Sequence, residues 1–182
     1  MDMTTTHSTT TLAEPDPFNG VDLAGLAALV DGPACTSRTA ATTWQASVTW
    51  SGGLRSRAQV RAFDPIGSDE PRSLGGHDTA PNPVELLLAA LGNCLTVGYA
   101  AHATAEGIAI RSLRIDLEGQ LDLAAFLGLR AGHAGLDSVA ATVHLDADAA
   151  PEELQRLHDA VLGTSRIGHT LQAAIPVAIA LA

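Results

Sequence analysis

NPVELLLAALGNCLTVGYAAHATAEG, residues 82–107, is the stretch that decides the fold of this chain. Asn82 is a good N-cap, Pro83 suits the first helical position, and Glu85 is placed to close a capping box. Gly107 is a typical C-terminal stop. The stretch therefore predicts one long helix that ends just before Gly107.

The middle of this helix has no charged residue, and this raises the question of a membrane span. Residues 86–105 contain glycine, asparagine, threonine and histidine, and basic flanks that would orient a span are missing. We therefore predict a helix that is buried on nearly all sides in a soluble protein. One small domain rarely encloses so long a helix, so a second subunit is the expected cover.

Composition excludes several classes of protein. The chain has 182 residues, which suggests one domain, and 46% of them are hydrophobic. Its net charge is -10 and its ten basic residues are all arginine, a poor match to nucleic-acid binding. The N-terminus has neither a basic start nor an apolar run, so we expect no signal peptide and a cytoplasmic protein. Two cysteines, Cys35 and Cys94, do not make a disulfide framework.

The rest of the chain predicts an α+β fold with a mainly antiparallel sheet. We interpret residues 1–17 as a disordered tail and 18–182 as a single domain, with a helical arm at 18–39 and a core at 40–182. Within the core, the patterns predict the following elements: a hairpin at 42–50 and 54–63, a long loop at 64–81, strands at 108–123 and 138–147, an irregular segment between those strands, a helix from Pro151, a short turn or helix at 165–174, and a closing strand at 175–182.

Cys94 is the main chemical lead. The seven histidines are scattered, and the chain has no HExxH, CxxC or GxSxG motif, so we expect no metal and no cofactor. A thiol in the middle of a helix is either an inert core group or a nucleophile brought to a pocket. Its own helix N-terminus lies too far away to stabilise a thiolate, which then needs an external cation. The nearest supply is the face of the hairpin that carries Arg55, Arg57 and Arg61.

The sequence around Cys94 resembles the central helix of the OsmC/Ohr-like family (osmotically inducible protein C and organic hydroperoxide resistance proteins). The likeness includes TWSGGLRSRAQVRAFD at 49–64, LGGHDTAPNPVELLLAALGNC at 74–94, EGQLDLAAFLGL at 118–129 and HLDADAAPEELQRLHDAV at 144–161. It extends over roughly residues 40–182.

This resemblance implies a fold and a chemistry. The fold is an intertwined homodimer, with curved sheets packed on a long central helix and a second helix, and with the active sites at the subunit interface. The chemistry is reduction of organic hydroperoxides by a two-cysteine cycle, in which Cys94 would be the first thiolate. A hairpin arginine, Arg55 or Arg57, and a glutamate near the helix start would activate it.

The chain departs from the family pattern at two positions. Ser165 stands where the second cysteine is expected, and a serine cannot form the disulfide. Arg166, which follows it, is either a second candidate for the cation or an ordinary surface residue. Val84 stands at the glutamate position, and the shift of one residue to Glu85 turns that side chain by roughly 100° around the helix. Glu85 also points away from Cys94 in this helix, which favours a capping role.

Three interpretations follow. The first is a one-cysteine thiol peroxidase that acts on organic hydroperoxides and is recycled by an external thiol, or by Cys35. The second is a non-peroxidase binding protein for a small hydrophobic ligand, or another thiol enzyme, on the same scaffold. The third is a purely structural cysteine.

Overall fold

The structure of the protein, a computed structural model, describes residues 19–32, 41–173 and 175–181. The predicted tail at 1–17 and Cys35 lie outside these residues, and the division into arm and core stays a prediction. The helices are α1 (Leu23–Asp31), α2 (Pro83–Ala105), α3 (Leu123–Phe126), α4 (Pro151–Thr164) and α5 (Arg166–Gln172). The strands are β1 (Ser47–Trp50), β2 (Ser56–Gln59), β3 (Ile66–Ser68), β4 (Ile110–Leu121) and β5 (Leu136–Ala147). The predicted α+β class is confirmed.

The first sheet is antiparallel, in the order β1-β2-β3. The predicted hairpin is confirmed in shorter form, with Trp50 opposite Ser56. Strand β3 was not predicted, because three residues inside a loop rich in glycine, proline and aspartate are too few to show an alternating pattern. Directly paired residues lie on the same face of a sheet, so Val48 and Ile66, both opposite Ala58, share the face of Trp50. This apolar face is open to solvent, with Trp50 74% exposed.

Helix α2 begins as predicted. The Asn82 side chain accepts from the Glu85 N–H at 2.8 Å, and the Glu85 carboxylate accepts from the Asn82 N–H at 2.8 Å. These two bonds form the predicted capping box. The helix ends at Ala105, and Gly107 has a φ of 69°, the left-handed conformation that glycine adopts without strain. Both ends of the helix are therefore set by local sequence.

The core lies between α2, α4 and the second sheet, in which β4 and β5 pair antiparallel. Leu95 and Tyr99 of α2 are buried in one cluster with Leu157 and Val161 of α4. Two glycines of α2 permit the close packing. A Cβ on Gly92 would lie 2.8 Å from the Leu117 side chain, and one on Gly98 would lie 3.0 Å from that of Val161. The small residues of this helix thus set how closely the sheet and α4 approach it.

Helix α2 is buried on one face of the single chain, and Val97 on its outer face is 57% exposed. Burial on the remaining sides was expected from a second subunit and stays a prediction. Residues 175–181 form no strand within the described part of the chain, although the sequence predicted a closing strand. A strand needs a neighbouring edge for its backbone groups, and none of the described strands pairs with this segment. Its Val177 and Ile179 are 75% and 92% exposed.

Helix α2 is long and apolar enough to cross a membrane by length and composition alone. Its packing instead places it as the core helix of the fold, because its buried face contacts β4, α4 and α5.

Candidate active site at Cys94

Cys94 lies in the middle of α2, and its thiol is free and only partly exposed. The side chain faces the junction between α4 and α5, where the chain passes through Ser165. Residues at positions 91 and 95 of the same helix are buried, so the thiol sits at the border between the core and the surface. This placement allows a small reactant to reach the sulfur.

Ser165 is the direct neighbour of the thiol. Its Oγ lies 3.7 Å from the Cys94 Sγ, and the residue is 5% exposed. The same oxygen is the N-cap of α5 and accepts from the Gly168 N–H at 3.1 Å. Because the oxygen accepts there, its own proton is available to donate to the sulfur. Ser165 can therefore hydrogen-bond to a thiolate while it caps the helix.

The first turn of α5 provides the rest of the electrostatic environment. The backbone N–H groups of Arg166 and Ile167 have no acceptor within their own helix, and both act as donors that lower the pKa of the Cys94 thiol. The positive charge of the Arg166 side chain acts in the same direction.

These groups lower the pKa of the Cys94 thiol below its ordinary value. Burial is the largest single influence and raises the pKa, because it disfavours the charged form. The hydrogen bonds from Ile167, Ser165 and Arg166, together with the Arg166 charge, outweigh it. A larger fraction of the sulfur is therefore thiolate at neutral pH, and the thiolate is the nucleophile.

The hairpin arginines do not supply this environment in the single chain. Arg55 donates from Nε to the Gly52 carbonyl at 3.3 Å, and the Arg61 guanidinium lies 4.4 Å from the centre of the Phe63 ring. Arg57 is exposed in the middle of β2. Within residues 41–173, no hydrogen bond or ion pair joins any of the three to Cys94. Among the described residues, the cation that acts on the thiol is Arg166.

Glu85 stays at the start of α2. Its carboxylate is engaged in the capping box. Nine residues of helix separate it from Cys94, which corresponds to roughly 13 Å along the axis and to the opposite face. The capping role of Glu85 is thus observed, and the structure does not bring its carboxylate to the thiol of the same chain.

A cleft of about 500 Å³ opens beside Ser165 between α2, α4, α5 and β5. Its walls are mainly apolar, and Ser165 and Gly168 form part of them. Cys94 does not line the cleft itself, but its sulfur lies 3.7 Å from the hydroxyl of Ser165, which does. The apolar lining residues are Leu87, Leu91, Leu95, Leu136, Val139, Ala141, Leu162 and Leu171. Within the described ranges, no group of three His, Cys, Asp or Glu side chains is placed to hold a metal ion.

The family profile of OsmC-like protein matches residues 76–180. This match includes α2, both long strands, α4, α5 and the whole environment of Cys94. The chain belongs to the OsmC-like family. No curated protein is significantly similar to it in sequence.

Solved structures confirm the OsmC-like fold. An OsmC-like protein from Mycoplasma pneumoniae has a TM-score of 0.61 and 19% identity, over 72% of this chain and 88% of that one. An osmotic stress induced and detoxification response protein from Psychrobacter arcticus has a TM-score of 0.59 and 18% identity, over 71% and 89%. An organic hydroperoxide resistance protein from Legionella pneumophila has a TM-score of 0.56 and 17% identity, over 72% and 92%. At these identities the likeness establishes the fold of this OsmC-like chain.

Cys94, Ser165 and Arg166 are all identifiable from the sequence, and Arg166 is a candidate cation beside the hairpin arginines. The sequence does not show that the Ser165 hydroxyl itself contacts the thiol. The available signal was Ser165 itself, since serine before a short helical segment is a strong N-cap candidate. An N-cap at that position predicts that free N–H groups follow it, and the structure directs those of Arg166 and Ile167 at the thiol.

Proposed function

We propose that this OsmC-like protein is a thiol-dependent peroxidase that reduces organic hydroperoxides through Cys94. The observation that carries the proposal is the contact of the Cys94 sulfur with Ser165 and the first turn of α5, which favours the thiolate. The family match gives a role connected with organic hydroperoxides at the family level, and the Legionella pneumophila neighbour is named for resistance to them.

The reaction begins with attack of the Cys94 thiolate on the terminal oxygen of the hydroperoxide. The O–O bond breaks, the sulfur becomes a sulfenic acid, and the organic fragment leaves as an alkoxide that takes a proton to become an alcohol. The sulfur is oxidised by two electrons and the hydroperoxide is reduced by two. Ser165 and the α5 N–H groups hold the sulfur in place through this step.

Recycling must differ from the two-cysteine cycle, because Ser165 cannot form a disulfide with Cys94. An external thiol condenses with the sulfenic acid, which releases water and leaves a mixed disulfide. A second external thiol then reduces that disulfide and regenerates the Cys94 thiol. We expect this reductant to be a small thiol of the cytoplasm, where we place the protein.

We also infer a homodimer with an active site at each interface. The apolar face of the first sheet, which carries Val48 and Trp50, is exposed in the single chain, and so is the outer face of α2 at Val97. Residues 175–181 present apolar side chains without a neighbouring strand. A second copy would cover these surfaces together, and burial of such exposed apolar area drives association.

The dimer gives Arg55 and Arg57 a place in the reaction. Neither side chain reaches Cys94 of its own chain. Both lie at the first sheet, whereas the sheet that packs on α2 is the second one. We infer that one of them faces the Cys94 of the partner subunit and orients the hydroperoxide. Mixed dimers test this inference. If Arg57 is the residue used, Cys94→Ser and Arg57→Ala chains are each inactive alone and should recover activity when mixed. If Arg55 is used instead, the same result is expected for Cys94→Ser mixed with Arg55→Ala.

A peroxidase assay tests the main proposal. Purified protein is supplied with cumene hydroperoxide and, in parallel, with monothiol and dithiol reductants. Turnover should require Cys94 and be abolished by Cys94→Ser, whereas Cys35→Ser, the matched control, should retain it. Mass spectrometry after one equivalent of peroxide should place the oxidation on Cys94. The proposal would be contradicted if no reductant supported turnover and no sulfenic acid formed at Cys94.

A second candidate is a binding protein for a hydrophobic small molecule. The cleft favours it, because its volume of about 500 Å³ lies within the range of ligand sites, ~300–1,000 Å³, and its walls are mainly apolar. Ligand binding that is unchanged in Cys94→Ser, together with absence of peroxidase turnover, would favour this alternative.

A further inference from the structure

The cleft beside Ser165 contains one feature that the reaction at Cys94 does not use. Strand β5 makes a register shift at its start, where Ser138 is opposite Gln120 but Leu136 is opposite Leu121. Asp137 is therefore the extra residue of a β-bulge and has no cross-strand partner. Bulges redirect side chains, and here Asp137 becomes part of the cleft wall.

Asp137 is the only charged residue among the described residues that line the cleft. The other lining residues are eight apolar side chains, the polar Ser138, Ser165 and Gln172, and Gly168. Arg166 acts on the sulfur but does not line the cleft. A ligand with a carboxylate would thus meet a negative charge and no cation among the lining residues of this chain. The partner arginine inferred above faces Cys94, which does not line the cleft. The net charge of -10 repels such a ligand at longer range as well.

We propose that the cleft selects uncharged hydrophobic hydroperoxides, such as esterified lipid hydroperoxides, and that Asp137 is the residue that discriminates against substrates bearing a free carboxylate. This inference rests on the proposed peroxidase function for its substrate, but not for its binding site. The hydrocarbon part of the substrate packs among the leucines of α2, α4 and α5. The peroxide end is directed to Ser165, whose hydroxyl lies 3.7 Å from the sulfur.

Binding of unreactive analogues tests the inference without any peroxide chemistry. Methyl laurate and laurate share one hydrocarbon chain and differ in charge, and neither has an O–O bond. Both are titrated into the full-length protein at neutral pH by displacement of a neutral fluorescent probe from the apolar cleft. Asp137→Asn should tighten laurate binding about fivefold, as expected for removing one exposed like charge near the ligand, and leave methyl laurate binding unchanged.

The matched control is Glu118→Gln. Glu118 is an exposed carboxylate on β4 that does not line the cleft, so its neutralisation changes the net charge by the same amount. It should leave the ratio of the two affinities within error of the unsubstituted protein. A fivefold change in Glu118→Gln as well would assign the effect to overall charge and overturn the role of Asp137.

Two further outcomes would also overturn the inference. One is laurate binding as tight as that of methyl laurate and insensitive to Asp137→Asn. The other is no binding of either compound. Failure of this inference can be distinguished from failure of the proposed function. Turnover of cumene hydroperoxide without discrimination between laurate and methyl laurate rejects only the selectivity of the cleft. Discrimination between the two compounds without any turnover supports the binding site and rejects the peroxidase.

Discussion

The Cys94 sulfur lies 3.7 Å from the Ser165 hydroxyl, and that hydroxyl oxygen also caps α5 through the Gly168 N–H. One serine therefore serves the thiol and the helix whose N–H groups point at the thiol. The position at which the family resemblance implied a second cysteine is occupied by a group that stabilises the first.

Replacing Ser165 should weaken both functions. In Ser165→Ala the thiolate loses a donor and α5 loses its cap, so the pKa of Cys94 should rise toward its ordinary value. The midpoint of the rate of iodoacetamide alkylation against pH should move upward. The free energy of unfolding should fall by about 1 kcal/mol, as for other lost N-caps. Ser165→Thr keeps the hydroxyl and should restore most of both; an unchanged alkylation profile in Ser165→Ala would contradict the assigned contact.

Ser165→Cys should convert the protein to a two-cysteine type. The two side chains already face each other at 3.7 Å, and a small movement brings two sulfurs to disulfide distance, about 2.05 Å. After one equivalent of peroxide, mass spectrometry should find the loss of two hydrogens and a Cys94–residue 165 crosslink. A dithiol should then become a better reductant than a monothiol. A sulfenic acid that persists at Cys94 in this variant would argue against the observed juxtaposition.

Arg166→Gln should also raise the pKa of Cys94, because it removes the positive charge that favours the thiolate. The Arg166 side chain is exposed, so salt screens this contribution and the effect should shrink as ionic strength rises. The alkylation profile measured at low and high salt checks both points. Arg156→Gln, an exposed arginine on α4, is the matched control and should leave the profile unchanged.

Gly98→Val should destabilise the protein by about 1–3 kcal/mol, because the added side chain overpacks the contact between α2 and α4. The first added carbon alone would lie 3.0 Å from Val161. The same substitution at Gly163 of α4, where a Cβ meets nothing within 4 Å, is the control and should cost far less. Urea unfolding of the two variants measures the difference, and equal midpoints would contradict the close packing.

Asp69→Asn should make the protein less stable at neutral pH. Asp69 is fully buried and accepts from the backbone N–H groups of Glu70, His77 and Thr79 and from the Thr79 hydroxyl. Burial is the largest single influence on its pKa and raises it, but the hydrogen bonds together lower the pKa below its ordinary value.

A lowered folded-state pKa means that this contribution is complete above the unfolded value, about 3.9, and is lost as the pH falls through the folded value. The gap in thermal midpoint between Asp69→Asn and the unsubstituted protein should therefore be widest near pH 7 and close as the pH drops below about 4. Asp78→Asn, an exposed position in the same loop, should show no such gap. A gap that grows on acidification would contradict a lowered pKa for Asp69 in the folded protein.

Local signals were sufficient for the elements that are set locally. The Asn82 and Glu85 capping box and the Gly107 stop each depend on residues within one or two turns, and all three are observed. The segment at 175–181 has the composition of a strand, but whether it pairs depends on an edge elsewhere. The side chains of the hairpin at 42–63 could be assigned to the two faces of the sheet from the sequence. The surface that covers the apolar face could not be predicted in this way.

The candidate site likewise combines features that the sequence predicts with features that depend on tertiary contacts. Cys94 is identifiable because a motif around it is specific, and Ser165 because it stands at a position where the family resemblance implies another residue. The direction of the Arg166 and Ile167 N–H groups toward the sulfur follows from how α5 lies against α2, which is a tertiary contact. Asp137 was not singled out at all, since a β-bulge depends on the register of two strands and leaves little trace in either strand alone.

Helix α5 touches the sulfur at its first turn and the cleft at its last, through Leu171 and Gln172. A bound molecule that holds this helix in place also holds the N–H groups that favour the thiolate. Linkage makes the relation mutual: if occupancy of the cleft changes the proton affinity of Cys94, then the charge on Cys94 changes the affinity of the cleft by the same factor. In the proposed peroxidase reaction, conversion of the thiolate to a neutral sulfenic acid should therefore weaken binding of the alcohol just formed, at the other end of a helix of seven residues.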